Sequence, residues 1–285
     1  MSERDPFAIT GPALIQFSGG RTSAYMLWRI LRAHGGALPD EVRPVFQNTG
    51  REMPETLDFV RDCAERWDVP VTWLEYRPGG FAIVDHATAA RNGEPFDAML
   101  AHKKTLPNPV MRFCTIELKI RVAHKFARSL GWGRYMAVTG LRADEMRRVS
   151  RARTRAEAGK DGFDVAMPLA EAGVTKQDVA TFWAAQNWGL RLPSVNGTTP
   201  MGNCDLCFLK SAATITGIMR ARPERARWWI EKEAAGNPQH NAAAAYFRND
   251  RPSYASMARA VAEQREMDFG DADALIDCHC TEDAA

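Results

Sequence analysis

The sequence has no long apolar segment and no marked excess of charge of either sign. No apolar run approaches the roughly 20 residues that a helix needs to cross a bilayer. Lys and Arg number 37 against 35 Asp and Glu, a net charge of +2. This balance gives no general attraction to nucleic acid or to an anionic membrane. The charged first residues lead into no apolar stretch of the secretory kind. We therefore expect a cytoplasmic protein that has no membrane partner.

Cysteine is scarce, with six residues in a chain of 285. In a large chain without a secretory signal, closely spaced cysteines indicate a metal or redox site more than a disulfide framework. The six are Cys63, Cys114, Cys204, Cys207, Cys278 and Cys280. Cys63 lies between charged residues of a predicted helix, and we interpret it as a structural thiol.

The composition is that of a globular protein, with 45% hydrophobic and 25% charged residues. Short apolar runs alternate with segments of helical spacing as far as about residue 193. This alternation predicts an α/β fold, a Rossmann-like parallel sheet with helices on both faces. Residues 78–109 are less regular, and we expect one helix and a loop there. Residues 1–193 are predicted to form this core, and residues 194–285 a C-terminal helical region that carries most of the cysteines. The predicted strands span 13–17, 43–48, 71–76, 134–139 and 164–169.

A glycine-containing turn joins the first predicted strand to a predicted helix. Its residues are Ser18, Gly19, Gly20, Arg21, Thr22 and Ser23. The N-terminus of a helix offers backbone N–H groups and a positive dipole end, and glycine lets the backbone approach a ligand closely. The hydroxyl groups can donate to phosphate oxygens. The turn therefore predicts a phosphate site, although it matches neither the Walker A nor the dinucleotide-binding pattern. A simple tight turn with a capping serine is the alternative.

The same turn resembles the PP-loop, S-G-G-x-D-S, of the adenine nucleotide alpha hydrolase superfamily. Residues 48–56, Asn-Thr-Gly-Arg-Glu-Met-Pro-Glu-Thr, resemble the D-T-G-x-x-F-P-E-T stretch of phosphoadenosine phosphosulfate (PAPS) reductases. Residues 140–151 resemble their G-x-R-x-x-E segment and the basic residues after it, and residues 112–119 resemble their R-x-C…K segment. The resemblance covers residues 13–170 in the right order.

This resemblance implies a PAPS-reductase-like fold that binds an adenine nucleotide, either ATP or PAPS. It places the phosphates on residues 18–23 and the distal anion beside Arg142 and Arg148. Two departures are notable, Asn48 and Thr22, which both stand where related enzymes usually carry Asp. Because a hydroxyl is a poorer Mg²⁺ ligand than a carboxylate, Thr22 weakens the case for a magnesium-dependent ATP pyrophosphatase. The further implied binding residues are Asn48, Thr49, Gly50, Glu52 and Gly140.

The C-x-x-C of Cys204 and Cys207 has the spacing of a metal-binding or redox pair. Relatives that carry clusters favour a 4Fe–4S cluster held by Cys114, Cys204, Cys207 and either Cys280 or Cys278. Two alternatives stay open. One is zinc with His279 as a ligand, and the other is a redox C-x-x-C without metal.

The function implied is an oxidoreductase that reduces a sulfonucleotide with electrons from a thioredoxin-like donor. The reductase motif E-C-G-x-H is missing, so Cys280 and Cys278 are candidate nucleophiles by position only, and Arg142 is the third candidate catalytic residue. One alternative is an ATP-dependent adenylating sulfurtransferase that takes sulfur from a donor, acts on a nucleic acid or small molecule and releases pyrophosphate. Another is a catalytically inactive nucleotide-binding regulator. The local basic segment could also attract a polyanion such as tRNA or DNA; it contains Arg142, Arg147, Arg148, Arg151, Arg153 and Arg155.

Overall fold

A six-stranded sheet forms the centre of the molecule in a computed structural model that describes residues 5–159, 162–236 and 246–263. The strand order is β4-β3-β2-β1-β5-β6, and the paired strands run parallel except β3 and β4. Helices flank this sheet, so the α/β prediction is confirmed. The strands are β1 (Ala13–Gln16), β2 (Val42–Asn48), β3 (Thr72–Arg77), β4 (Gly80–Val84), β5 (Tyr135–Val138) and β6 (Phe163–Ala166).

The helices follow the strands along the core and then continue alone into the C-terminal part. The first group is α1 (Arg21–Ala33), α2 (Pro54–Arg66), α3 (Glu94–Lys103), α4 (Phe113–Thr115), α5 (Arg121–Ser129), α6 (Met146–Glu157), α7 (Pro168–Glu171) and α8 (Lys176–Ala184). A π-helical turn, Ile116–Ile120, joins α4 to α5. The second group is α9 (Ala212–Ala221), α10 (Ala226–Ala235), which follows the 3₁₀ turn Pro223–Arg225, and α11 (Tyr254–Ala262).

The sheet departs from the all-parallel prediction at β4. Residues 78–109 were expected to hold one helix and a loop, but Gly80–Val84 pairs antiparallel with β3. The reason is the two-residue turn Pro78-Gly79, in which proline suits the first corner and Gly79 takes a φ of +78° at the second. The turn returns the chain along the edge of the sheet, where Ile83 stays exposed.

The order of the strands reverses its direction of growth at β1. The chain adds β2 and β3 on one side of β1 and later adds β5 and β6 on the other side. In open α/β sheets the crevice at the carboxyl ends of the strands beside such a switch point is the usual ligand site. The residues that follow β1 and β5 therefore occupy the position where a ligand is expected.

A buried carboxylate ties the C-x-x-C segment to the core. Asp205 is fully buried and accepts hydrogen bonds from Arg51, from Arg225 Nε (2.6 Å) and from Trp229 Nε1 (2.8 Å). The Asp205 N–H also donates to the Arg51 carbonyl at 2.8 Å. Burial lowers the pKa of Arg51, and the charge of Asp205 opposes this shift. The C-terminal region thus packs on the residues that follow β2, while the predicted boundary at residue 193 stays a prediction.

Apolar packing joins the same two regions. Phe208, Trp229, Phe247 and Tyr254 belong to the apolar cluster that also contains the residues of β1. In the part of the chain that the structure describes, no helix is long and apolar enough to cross a membrane.

Replacing Asp205 should test how much the fold depends on this network. We expect Asp205→Ala to lower the free energy of unfolding by about 3–5 kcal/mol, because it leaves the buried Arg51 and the half-buried Arg225 without their counter-charge. Asp164→Ala is the matched control, since Asp164 forms an exposed ion pair with Arg134 and should change stability far less. Urea unfolding followed by circular dichroism measures both, and equal losses would contradict the role of Asp205.

Candidate nucleotide-binding site

A cavity of about 440 Å³ lies at the switch point, between the residues that follow β1 and those that follow β5. Its volume is in the range of small-molecule sites. Segments 194–203 and 209–214 close the opposite side. Hydroxyl groups and basic side chains dominate the wall. The hydroxyl residues are Ser18, Thr22, Ser23, Thr139, Ser194, Thr198, Thr199, Ser211 and Thr214, and the basic residues are Arg21, Arg142, Arg148, Lys176 and Lys210.

The two glycines of the turn have different structural roles. Gly19 has a φ of +74°, and a Cβ atom there would lie 2.6 Å from Thr56 Cγ2, so only glycine fits against α2. Gly20 lines the cavity, and the nearest atom to a Cβ there would be Ser18 Oγ at 3.7 Å. Gly20 caps α1 without a side-chain hydrogen bond. In the described part of the chain no side-chain cap satisfies the first N–H groups of α1, and such groups suit an anion.

The residues after β5 are bonded to this turn. Arg142 donates from Nη1 to Thr22 Oγ1 at 3.2 Å and from Nε to Asp144 Oδ1 at 2.9 Å. Glu145 forms ion pairs with both Arg142 and Arg148. The contact joins the loop after β1 to the loop after β5 across the mouth of the crevice. Of the predicted binding residues, the structure places Ser18, Gly20, Arg21, Thr22, Ser23, Gly140, Arg142 and Arg148 in one cavity wall.

The guanidinium of Arg21 is engaged by the chain itself. It donates to the carbonyl oxygens of Leu190 (2.6 Å) and Leu192 (2.9 Å) and to Thr199 Oγ1 (2.8 Å). Burial lowers the pKa of this side chain. Arg21 therefore fixes the segment that forms the far wall of the cavity. The sequence analysis had placed phosphate on this residue, but in the structure its guanidinium binds the protein's own backbone and Thr199.

Two wall-forming elements were missed by the sequence analysis. Lys210 donates from Nζ to the carbonyl oxygens of Gly202, Cys204 and Asp205 at 2.9, 2.8 and 2.7 Å. Its position three residues after the C-x-x-C was the available signal. The second element is the set of hydroxyl residues between Pro193 and Pro200. The sequence analysis did not predict them as binding residues because the strand–helix alternation ends there. No local sequence pattern indicates that this segment contacts Arg21.

Five predicted nucleotide-binding residues lie outside this wall: Gly19, which packs against α2, and Asn48, Thr49, Gly50 and Glu52. Asn48 donates to Glu75 Oε1 (2.7 Å) and to the Ala90 carbonyl (2.8 Å), and it accepts from the Gly50 N–H (3.1 Å). These bonds hold the loop that precedes α3.

Thr49 and Glu52 bond to each other. The Thr49 N–H and hydroxyl both donate to the buried Glu52 carboxylate. Burial raises the pKa of Glu52, and the charge of Lys119 opposes this shift. Thr49 lies beside Cys204, and Glu52 forms an isolated β-bridge with Cys204, so these two residues support the neighbouring cysteine region.

A second, small cavity collects three of the cysteines. Cys114, Cys204 and Cys207 line a space of about 20 Å³ beside Thr49 and Lys119, enough for about one water molecule. None of the three forms a disulfide, and Cys204 Sγ lies 3.5 Å from Thr49 Oγ1. Within residues 5–159, 162–236 and 246–263 no three His, Cys, Asp or Glu side chains are placed to hold a metal ion.

The remaining predicted ligands and nucleophiles, Cys278, His279 and Cys280, lie outside the described residues.

One loop separates the two cavities. Leu209 lines both of them, and Gly202, Asn203 and Lys210 line the larger one. The C-x-x-C loop thus presents one side to the candidate nucleotide site and its thiols to the other side.

No protein-family model matches the chain. It is similar to the uncharacterized nin region protein ORF290 of Escherichia phage lambda, with 32% identity over 213 residues that cover 71% of this chain and 67% of that protein.

Two solved structures are also similar. One is phosphoadenylyl-sulfate (PAPS) reductase from Candida auris in a phosphate complex, at 17% identity and a TM-score of 0.40, covering 64% of this chain and 79% of that chain. The other is the U34-tRNA thiolase NcsA from Methanococcus maripaludis with its 4Fe–4S cluster, at 12% identity and a TM-score of 0.40, covering 95% and 81%. A PAPS reductase is thus among the similar structures, as the motifs predicted.

The two glycines give a matched pair of variants. We expect Gly19→Ala to lower the free energy of unfolding by about 2 kcal/mol or more, because an L-residue is strained at this φ and its methyl group would meet Thr56. Gly20→Ala has an ordinary φ of −99° and open space, so the protein should keep its stability. Thermal unfolding of both variants is the measurement. A stable Gly19→Ala protein would show that the turn is not held as described.

Proposed function

We propose that this chain, which belongs to the family of the uncharacterized nin region protein ORF290 of Escherichia phage lambda, is an enzyme that binds an adenine nucleotide and reduces a sulfonucleotide such as PAPS. One observation carries the proposal. The turn of residues 18–23 and the arginines Arg142 and Arg148, which the PAPS reductase motifs single out, line the same cavity at the switch point of the sheet.

The charges in the cavity favour a ligand that is neutralised by arginine. Among the residues that the structure describes, Glu145 is the only acidic side chain in the wall, and it is already paired with two arginines. Mg²⁺ prefers carboxylate oxygens, so these donors do not fit a protein-held magnesium ion. The planar guanidinium fork suits phosphate and sulfate oxygens. The side chains of the cavity therefore support a sulfonucleotide as the ligand over ATP bound together with a protein-held Mg²⁺.

In the proposed reaction, the hydroxyl groups of the turn and the N-terminus of α1 hold the phosphate. Arg142, fixed by its bond to Thr22, stabilises negative charge on the departing nucleotide. A thiolate attacks the sulfur atom, a sulfur–sulfur bond forms, and the sulfur–oxygen bond to the nucleotide breaks. One thiol of a thioredoxin-type dithiol then attacks the enzyme sulfur of the thiosulfonate, so that sulfite leaves and a mixed disulfide forms. The second donor thiol displaces the enzyme thiolate and leaves the donor as a disulfide. The proposed nucleophile is whichever of Cys280 and Cys278 does not ligate the proposed cluster.

The proposed cofactor is a 4Fe–4S cluster on Cys114, Cys204, Cys207 and Cys280. Three of these thiols line one cavity that is enclosed by Phe96, Leu118 and Trp229, and thiolates are the ligands of such clusters. A cluster would supply a redox-active group beside the loop that lines the nucleotide cavity. The space is only about 20 Å³, so a cluster would require it to widen, whereas a metal-free redox pair would not; zinc is the third alternative.

A second candidate function is the ATP-dependent adenylating sulfurtransferase with a nucleic-acid acceptor. This function is favoured by the arginines of α6. Arg148 lines the nucleotide cavity, and exposed arginines follow it along the helix, where they could contact the phosphates of a nucleic acid.

Removing Arg142 should weaken nucleotide binding. We expect Arg142→Gln to raise the Kd for PAPS by about 10- to 100-fold, the usual weight of a charged hydrogen bond. Arg134→Gln is the control, because it removes an arginine whose exposed ion pair with Asp164 lies outside the cavity wall. Isothermal titration calorimetry measures both. A wild-type protein that binds neither PAPS nor ATP would overturn the proposal.

Product analysis separates the candidate reactions. Sulfite formed from PAPS with a dithiol supports the reductase, whereas pyrophosphate released from ATP supports the sulfurtransferase. Tight nucleotide binding without either product would support an inactive regulator and would contradict both enzymes.

The cofactor is tested on anaerobically purified protein. We expect the wild type to contain iron and to absorb visible light, and Cys204→Ser to lose both. Cys63→Ala is the control, because Cys63 is buried in α2 away from the thiol cavity. A colourless wild-type protein without iron would remove the cluster, and stoichiometric zinc in that sample would identify the alternative metal.

A further inference from the structure

Four arginines of α6 lie side by side along the helix. At 100° per residue, positions 147, 148, 151 and 155 fall within an arc of about 100°. We call Arg147, Arg148, Arg151 and Arg155 the arginine stripe. The buried side of α6 is formed by Val149 and Ala152. Arg153 falls beyond this buried side and is not part of the stripe.

The stripe runs from the nucleotide cavity towards solvent. Arg148 lines the cavity, whereas Arg147 and Arg151 are exposed. Ser150 and Thr154 border the exposed edge of the stripe, and both are exposed. The surface therefore combines guanidinium groups with hydroxyl groups. Both kinds of side chain are common donors to the phosphate oxygens of nucleic acids.

This arrangement is unfavourable for the helix itself. Arg147 and Arg151, like Arg151 and Arg155, are like charges four residues apart, which destabilises an isolated helix. The first turn contains no acidic residue, although negative charge is favoured there. In the described part of the chain neither Arg147 nor Arg151 takes part in an ion pair, and the one acidic residue of α6, Glu157, lies at its C-terminal end. An external polyanion would relieve this repulsion.

We propose that the arginine stripe binds the sugar–phosphate backbone of a nucleic acid and so places it at the mouth of the nucleotide cavity. The net charge of +2 supplies no general attraction, so binding would depend on this local surface. The inference goes beyond the reduction of a sulfonucleotide and does not rest on which nucleotide reaction takes place.

The test uses single-residue variants of the same helix. Fluorescence anisotropy with a labelled single-stranded DNA, the same DNA as a duplex and an RNA hairpin gives the affinity between about 50 and 200 mM salt. We expect Arg151→Gln to reduce the steepness of the plot of log affinity against log salt by about 0.7–0.9, the share of one phosphate contact. Arg153→Gln removes the same charge two residues away, off the stripe, and should leave the slope unchanged.

Three results would overturn the inference: equal slopes for the two variants, no binding of any of the probes to wild-type protein at about 50 mM salt, or equally tight binding of a labelled polyglutamate. The last result would indicate an acidic protein segment as the partner. The probe that binds most tightly identifies the kind of nucleic acid.

Nucleotide binding is measured on the same samples and should be unchanged in both variants. If wild-type protein binds no nucleotide while the salt dependence behaves as expected, the proposed function fails and this inference stands.

Discussion

The carboxylate of Asp205 lies without solvent contact between two guanidinium groups, and the position of both cavities depends on it. A buried carboxylate is costly unless it is paired and hydrogen-bonded. Arg51 comes from the loop after β2, and Arg225 comes from the turn before α10, so the pairing requires these distant parts of the chain to meet. The C-x-x-C loop is fixed as a result. Its backbone then forms a wall for the nucleotide cavity, and its thiols face the second cavity.

The sheet supplies the other constraint. Because strands are added on both sides of β1, the loops after β1 and β5 face each other at the carboxyl ends of the strands. The bond from Arg142 to Thr22 connects the two loops directly. Glu145 holds Arg142 and Arg148 close together, although their like charges would otherwise separate them. The fold thus gathers positive charge at the one place where the sheet leaves an opening.

Local patterns predicted the elements whose causes are local. The strand of residues 13–17 and its turn were found because an apolar run and two glycines stand together in the sequence. The edge strand β4 was missed because it lies in an irregular stretch, where its signal was the Pro78-Gly79 turn. Partners that are far apart in the chain had no signal at all. Asn48 meets Glu75, and Arg21 meets Thr199, only after the chain has folded, so their roles could not be derived from motif position.

The hydrogen bonds inside the protein also decide which basic groups can recognise a ligand directly. Lysine has three N–H donors, and Lys210 uses its ammonium group on three carbonyl oxygens of its own loop. It therefore contributes charge to the cavity rather than donors. Arg21 is similarly engaged with the far wall. In the proposed site, direct recognition of an anion is left to Arg142, Arg148, the hydroxyl groups and the N-terminus of α1. These groups stand on both sides of the switch point, so a ligand that contacts them all has to bridge the two halves of the sheet.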